Sequence, residues 1–147
     1  MSFIHILGEE HIGGAAELER LCFSEPWSAD SLLLLTRDGN FGIAAVEDGR
    51  VIAYGGMTCC LDEGSVTNIA VHPNFRRLGY GRAVVLAMLE EAKKRGISAV
   101  FLEVRESNSA ARTLYGSEGF SEIGRRKNFY RAPLEDAIAM AYYFNKD

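Results

Sequence analysis

The stretch Arg76-Arg77-Leu78-Gly79-Tyr80-Gly81-Arg82, "RRLGYGR", decides how this chain is read. It runs straight into "AVVLAMLEEAKKRG", residues 83–96, where Val84, Val85, Met88, Leu89 and Ala92 recur at helical spacing. Lys93, Lys94 and Arg95 stand at the end of that segment, where a helix dipole favours cations, and Gly96 offers a left-handed cap. The pattern predicts a helix from about Gly81 to Arg95, with Glu90 and Lys94 as an i,i+4 pair on its outer side. Glycine at 79 and 81 allows a tight turn and a close backbone approach at the helix entrance. The first N–H groups of a helix lack internal partners and carry the positive end of its dipole, so this entrance suits an anion such as a phosphate or pyrophosphate. Arg76, Arg77 and Arg82 add charge around it. The spacing is not a Walker A loop, and Val84 stands where a dinucleotide fingerprint needs its third small residue. Taken alone, the segment equally fits a surface helix with glycine in its approach and solvated arginines.

The flanks predict a mixed α/β chain. Phe3–Leu7 reads as a first strand, and Leu18, Leu21 and Cys22 as one face of a helix ending near Phe23. Glu25-Pro26-Trp27 is a break, after which Ser28 caps a short helix through about Arg37, closed by Asp38-Gly39. Phe41–Val46 and Val51–Cys60 read as a hairpin around Glu47-Asp48-Gly49-Arg50. Asp62-Glu63-Gly64 reads as a second turn, before a strand from about Ser65 to Val71 that His72-Pro73 closes. Ala99–Val104 has few polar positions, the pattern of a strand covered on both faces. A helix over about Ser109–Glu118 and strands over Phe120–Ile123 and Ile138–Phe144 complete the chain. The front half is an antiparallel meander and the back half is βαβ-like.

The 147 residues fit one domain, residues 1–147, and 48% hydrophobic with 24% charged residues is an ordinary globular balance. A net charge of −4 disfavours a dedicated nucleic-acid binder. The three cysteines, Cys22, Cys59 and Cys60, form no Cys-x-x-Cys pair and predict buried thiols in a reducing compartment. No secretory pattern appears, and the aliphatic run Leu32–Leu35 is too short to span a bilayer. A soluble cytoplasmic protein with no membrane partner is expected. His5, His11 and His72 show no ligand spacing, so no metal is expected.

"NIAVHPNFRRLGYGRAVV" resembles the central motif of the GNAT acetyltransferase superfamily, with Arg76-x-x-Gly79-x-Gly81 matching at every specified position. "LEVRESNSAARTLYGSEGF" is similar to the family's strand-loop-helix segment beside the thioester. "EPWS" near residue 26 and "RRKNFYR" with "EDAIAMA" near the end resemble the ribosomal-protein-alanine N-acetyltransferase branch. The resemblance covers nearly the whole chain and implies a central, twisted, mostly antiparallel mixed sheet flanked by about four helices. It implies acetyl-CoA as cosubstrate, with the amides of the Arg76, Arg77, Leu78, Gly79, Tyr80, Gly81 and Arg82 turn holding its pyrophosphate. The strand Asn68-Ile69-Ala70-Val71 would pair with pantetheine, chiefly through Ile69, Ala70 and Val71, a Val71 N–H would face the acetyl oxygen, and Asn108 would bond the coenzyme. Read by itself, Asn108 is a helix cap.

Acetyl transfer to an amine needs a proton acceptor, because an α-amino group titrates at about 7.7–8.0. It also needs a proton donor for the departing thiolate. Glu103 within "AVFLEV" is a costly carboxylate unless it has a partner or a task; the other reading is an idle glutamate at a strand end. The resemblance makes Glu103 the base and Tyr115 the acid, although Tyr115 beside Leu114 also reads as a core tyrosine. Trp27, Phe129 and Tyr130 are implied on the acceptor side, where Trp27 could instead be a plain hydrophobic anchor. The run Arg125-Arg126-Lys127 before the aromatics could mark an RNA patch, but with an acidic total it reads as a solvated loop. The expected activity is acetylation of a protein N-terminus, the N-terminal alanine of a small-subunit ribosomal protein. A lysine or small-amine acetyltransferase and a non-catalytic coenzyme A sensor are the alternatives.

Overall fold

Asp48-Gly49 turns the chain with both residues at left-handed angles, φ 51° and 76°, the hairpin geometry that follows the twist of paired strands. In this computed structural model, which describes residues 2–144, that turn joins strand β2 (Phe41–Glu47) to β3 (Arg50–Cys60). Leu61, at φ 55°, makes the next reversal, into β4 (Glu63–Val71). Glu63 and Gly64 already pair with Cys60 and Cys59, so this strand starts ahead of the expected Ser65. The remaining strands are β1 (Ser2–Ile6), β5 (Ala99–Arg105), β6 (Ser121–Arg131) and β7 (Leu134–Tyr143). Seven strands form one sheet in the order β1-β2-β3-β4-β5-β7-β6. Every neighbouring pair is antiparallel except β4 and β5.

Four helices cover the sheet: α1 (Ile12–Cys22), α2 (Ala29–Leu32), α3 (Tyr80–Lys94) and α4 (Ser109–Ser117). A 3-10 turn over Leu33–Thr36 prolongs α2, and Ser28 caps it by accepting from the Ser31 N–H. Strand alternation sorts side chains between two cores. Ile43 and Ala45 of β2 join Val84, Val85 and Met88 of α3, whereas Ala44 joins Leu18 of α1 and Leu32 of α2. Gly55 lets α3 lie this close to the sheet. A Cβ there would stand 2.5 Å from Met88 Sδ and 2.8 Å from Val84 Cγ1.

The α3 apolar stripe is buried as the spacing predicts, and Gly96 turns left-handed at φ 80°. The i,i+4 ion pair on α3 lies one residue further on than expected, between Glu91 and Arg95 at 2.8 Å. β6 runs far beyond the expected Ile123, and β7 starts ahead of the expected Ile138, at Leu134. Ser121–Arg131 is an edge strand exposed along nearly its whole length, so Arg125, Arg126 and Lys127 are strand residues rather than a loop. An edge open on both sides has no hydrophobic alternation to betray it. The cysteines also differ from expectation: Cys22 and Cys59 are half-buried and Cys60 is exposed, because it pairs next to the Leu61 turn. Among the described residues no helix is long and apolar enough to cross a membrane.

Candidate active site

β4 and β5 stay together for three register pairs, Glu63 with Ala99, Gly64 with Val100 and Ser65 with Phe101, and then part. The cause lies on the other edge of β4. Between the pairs Gly55–Ile69 and Met57–Val66, two β4 residues, Thr67 and Asn68, stand against Gly56 alone. Such a bulge bends its strand and raises the local twist. The parting strands wall a cleft of about 650 Å³ lined by Val66–Ile69 on one side and Leu102–Arg105 on the other.

The peptide groups of β4 alternate across this gap. The His72 N–H donates to Ile52 O at 2.8 Å, which makes 72/52, and therefore 70/54, hydrogen-bonded pairs of the antiparallel ladder. Ala70 thus turns its peptide groups to β3, while Ile69 and Val71 turn theirs the other way. The Val71 carbonyl accepts from Arg76 Nε at 3.2 Å and from the Cys22 thiol at 3.5 Å.

Past the end of β4, a short 3-10 turn (Pro73–Phe75) leads to the α3 N-terminus. Gly79 is its N-cap at φ 88°, a left-handed conformation that disfavours side chains. Ala83 N–H makes the first helical bond, to Gly79 O at 3.0 Å, so the amides of Tyr80, Gly81 and Arg82 have no helical acceptor. The side chains here spread apart. Tyr80 donates to Glu47 at 2.7 Å, Arg82 pairs with Glu118 at the C-cap of α4, and Leu78 is exposed. Arg77 is itself at φ 65°. This turn therefore offers mostly backbone donors, with less free guanidinium charge than three arginines suggested.

Glu103 lies on the open face of β5 with Phe101 and Arg105, while Val100, Leu102 and Val104 are buried. The strand is thus covered fully on one face only, and Glu103 is neither enclosed nor idle: Arg126 Nε approaches it at 3.4 Å. Tyr115 lines the same cleft from α4, with its ring against Phe120 at 5.6 Å. Burial, and secondarily the neighbouring Tyr130, push the Tyr115 hydroxyl above the usual tyrosine range, so it keeps its proton. Tyr130 is pushed up to about 12 by burial and then by Glu103. Asn108 caps α4 through its Oδ1, which accepts from Ala111 N–H at 3.1 Å, and also lines the cleft.

The far wall of the cleft is the connection between α1 and α2 together with the β6–β7 turn. Ser24 Oγ donates to Ala132 O and bridges the two. Arg105 steadies the turn through Pro133 O at 2.9 Å and Ala132 O at 3.2 Å, and its guanidinium covers the Tyr130 ring at 4.3 Å. Phe129 meets Tyr130 edge-on at 5.1 Å. Trp27, half-buried, completes this wall.

Residues 13–120 match the family model described as acetyltransferase (GNAT) family. The chain belongs to the GNAT acetyltransferase family. Over 143 residues this acetyltransferase is 35% identical to the ribosomal protein bS18-alanine N-acetyltransferase of Haemophilus ducreyi, covering 95% of this chain and 99% of the relative. It is 35% identical to the enzyme of the same name from Escherichia coli (strain K12), covering 96% and 97%. The crystal structure of the ribosomal-protein-S18-alanine N-acetyltransferase from Escherichia coli superposes with a TM-score of 0.92 at 34% identity, covering 100% of this chain and 96% of that one. Ard1 from Thermoplasma volcanium shares the fold, with a TM-score of 0.88 at 22% identity over 99% of both chains.

One residue of the acetyltransferase's cleft region escaped the sequence reading. Glu19 of α1 is fully buried. Its carboxylate accepts from Trp27 N–H at 2.8 Å, from Asn68 Nδ2 at 3.1 and 3.0 Å, and from the Tyr54 hydroxyl. The Tyr54 hydroxyl is pushed far above its usual value by burial and then by this carboxylate. The signal was present: Glu19 falls at i+3, i+4 and i+7 from Ala16, Ala15 and Ile12, a charge within the apolar stripe.

Proposed function

We propose that this acetyltransferase moves the acetyl group of acetyl-CoA directly, within a ternary complex, to the α-amine of a protein N-terminus, namely the N-terminal alanine of ribosomal protein bS18. The observation that carries the reaction is the gap between β4 and β5, where unanswered peptide groups, Glu103 and Tyr115 border one space. The near full-length match to enzymes named for that acceptor supports the choice of amine. A ribosomal acceptor puts the reaction in the cytoplasm.

The residues present fit the cosubstrate, which supplies an acetyl group activated as a thioester. The free amides of Tyr80, Gly81 and Arg82 would hold its diphosphate, with Arg76 and Arg77 adding charge and Leu78 and Gly79 shaping the turn. The outward peptide groups of Ile69 and Val71 would pair with the pantetheine amides as a neighbouring strand does, and Ala70 would space them. Asn108 would flank the coenzyme from the α4 cap. Val71 N–H would face the acetyl oxygen as negative charge develops there, a donor worth about 2.7–4 kcal/mol in acyl transfer.

Glu103 takes a proton from the incoming ammonium, directly or through one water, leaving the nitrogen lone pair free to attack. Its pairing with Arg126 is at the open side of the cleft and yields to the arriving amine. Tyr115, kept protonated by burial, gives its proton to the departing sulfur as the C–S bond breaks, and the surplus proton of the newly acylated nitrogen, passed through water, restores the phenol. Trp27, Phe129 and Tyr130 border the acceptor, and the Ser24–Ala132 bridge narrows its entrance in favour of a chain end.

Mass spectrometry of a peptide panel incubated with enzyme and acetyl-CoA tests this. Peptides that begin with the alanine of bS18 should gain acetyl at the α-amine. Acetylation confined to lysine side chains or free polyamines overturns the acceptor.

A further inference from the structure

We propose that Glu19 is a positioning residue of the acceptor site, fixing the Asn68 amide so that its Oδ1 accepts a hydrogen bond from the amine being acetylated. The inference rests on the acyl-transfer reading above and names one more contact for its nucleophile.

Glu19 is wholly enclosed, yet the donors that reach it are neutral: a backbone N–H, a phenol and a side-chain amide. A buried carboxylate without a cation is expensive to keep, and an apolar residue in this stripe would pack α1 at lower cost. The donors arrive from three separate parts of the molecule. Trp27 belongs to the acceptor-side connection, Tyr54 to β3, and Asn68 to the bulge that opens the cleft.

The orientation of Asn68 follows from the chemistry of its partner. Glu19 accepts from Trp27 N–H and the Tyr54 hydroxyl, and the Asn68 atom turned to it is likewise a donor, Nδ2. Both contacts to Glu19 are made through that atom. Oδ1 is therefore directed away from the carboxylate, and among the described residues no donor bonds it. Asn68 lines the cleft on the β4 wall, across the gap from Glu103 on the β5 wall. A primary amine entering between them carries more than one N–H. One proton leaves toward Glu103, while a second N–H remains to donate to Asn68 Oδ1, and the lone pair is aimed by both.

Steady-state kinetics of the full-length enzyme test this, with acetyl-CoA and the peptide amine that wild type acetylates best. Calorimetry of acetyl-CoA binding and thermal melts accompany each variant. Asn68→Ala should raise KM for the peptide about 10- to 100-fold, with a smaller change in kcat, and leave acetyl-CoA affinity within about two-fold. Glu19→Gln should raise the peptide KM similarly, because a glutamine amide lets Asn68 turn over and present N–H to the cleft. Glu19→Asp, which stays acceptor-only, should lie closer to wild type than E19Q. The E19Q/N68A pair should be no worse than N68A alone. If E19Q does not fold, N68A carries the test by itself. An unchanged peptide KM in N68A, a double variant equal to the product of the singles, or acetyl-CoA affinity falling in step with peptide KM overturns the proposal. A wild-type enzyme that acetylates no amine overturns this proposal together with the acyl-transfer reading. Normal wild-type turnover with an indifferent N68A overturns this proposal alone.

Discussion

The two sides of the cleft are built from different materials. The side formed by β4 and the α3 N-terminus is backbone: a left-handed Gly79, three amides without helical acceptors, and a strand edge with free peptide groups. The opposite side is made of side chains brought from distant positions, through Ser24 to Ala132, Glu19 to Trp27, and Arg126 to Glu103; across the gap the Asn68 amide reaches back to Glu19. A backbone site is set by local chain geometry and tolerates exchange of most of its side chains. A side-chain wall depends on each partner, and can be rebuilt for a new acceptor without disturbing the first.

Substitutions should expose that contrast. The largest effect is expected where the chemistry itself depends on one side chain. Tyr115→Phe should lower kcat about 100- to 1000-fold with little change in acetyl-CoA affinity by calorimetry; equal losses in both would make Tyr115 a packing residue. Next is the alkaline limb of stability. Tyr54 and Tyr115 hold their protons more tightly in the fold than in the unfolded chain. Above about pH 10 the unfolded chain therefore binds fewer protons, and stability falls as pH rises, by about 1.4 kcal/mol per pH unit for each tyrosine still protonated in the fold. Tyr115→Phe should shallow that slope in denaturant titrations.

Smaller effects separate backbone from side chain on the α3 turn. Gly79→Ala forces a side chain into the left-handed region and should cost about 1–2 kcal/mol in chemical denaturation, with weaker acetyl-CoA binding. Gly81→Ala should leave folding nearly unchanged, since a Cβ there meets Leu114 and Val71 at ordinary contact distances of 3.5 and 3.6 Å. If both lose equal stability, the backbone description of this side fails. Smallest of all, Arg126→Ala removes an ion pair on a largely exposed guanidinium and should shift the melting midpoint by an amount worth about 0–1 kcal/mol.

The same contrast explains what the amino-acid order disclosed. The hairpin at Asp48-Gly49, the α3 stripe and the Gly79 turn rest on local rules, and each can be read within a window of about one or two turns of chain. The alternation of Phe101 and Glu103 against Leu102 and Val104 is a local pattern of the same kind, and it sets the carboxylate on the open face of β5. Other features arise only after folding. The bulge at Thr67-Asn68 exists in relation to Gly56 of another strand, and no residue type at those positions announces it. Beyond Ile123, β6 is legible only through its pairing with β7, because water covers most of it. Glu19 was visible as a misfit, but its partners Tyr54 and Asn68 lie 35 and 49 residues away.

The bulge has one more consequence. Because β4 leaves β5 after Ser65, the central sheet carries an unfinished seam, where the Val71 carbonyl is met only by the Arg76 and Cys22 side chains and, among the described residues, no strand pairs with Ile69 on that side. A guest that lies there completes the sheet as though it were a missing strand. Held this way, a guest would join two strands that the polypeptide itself leaves apart.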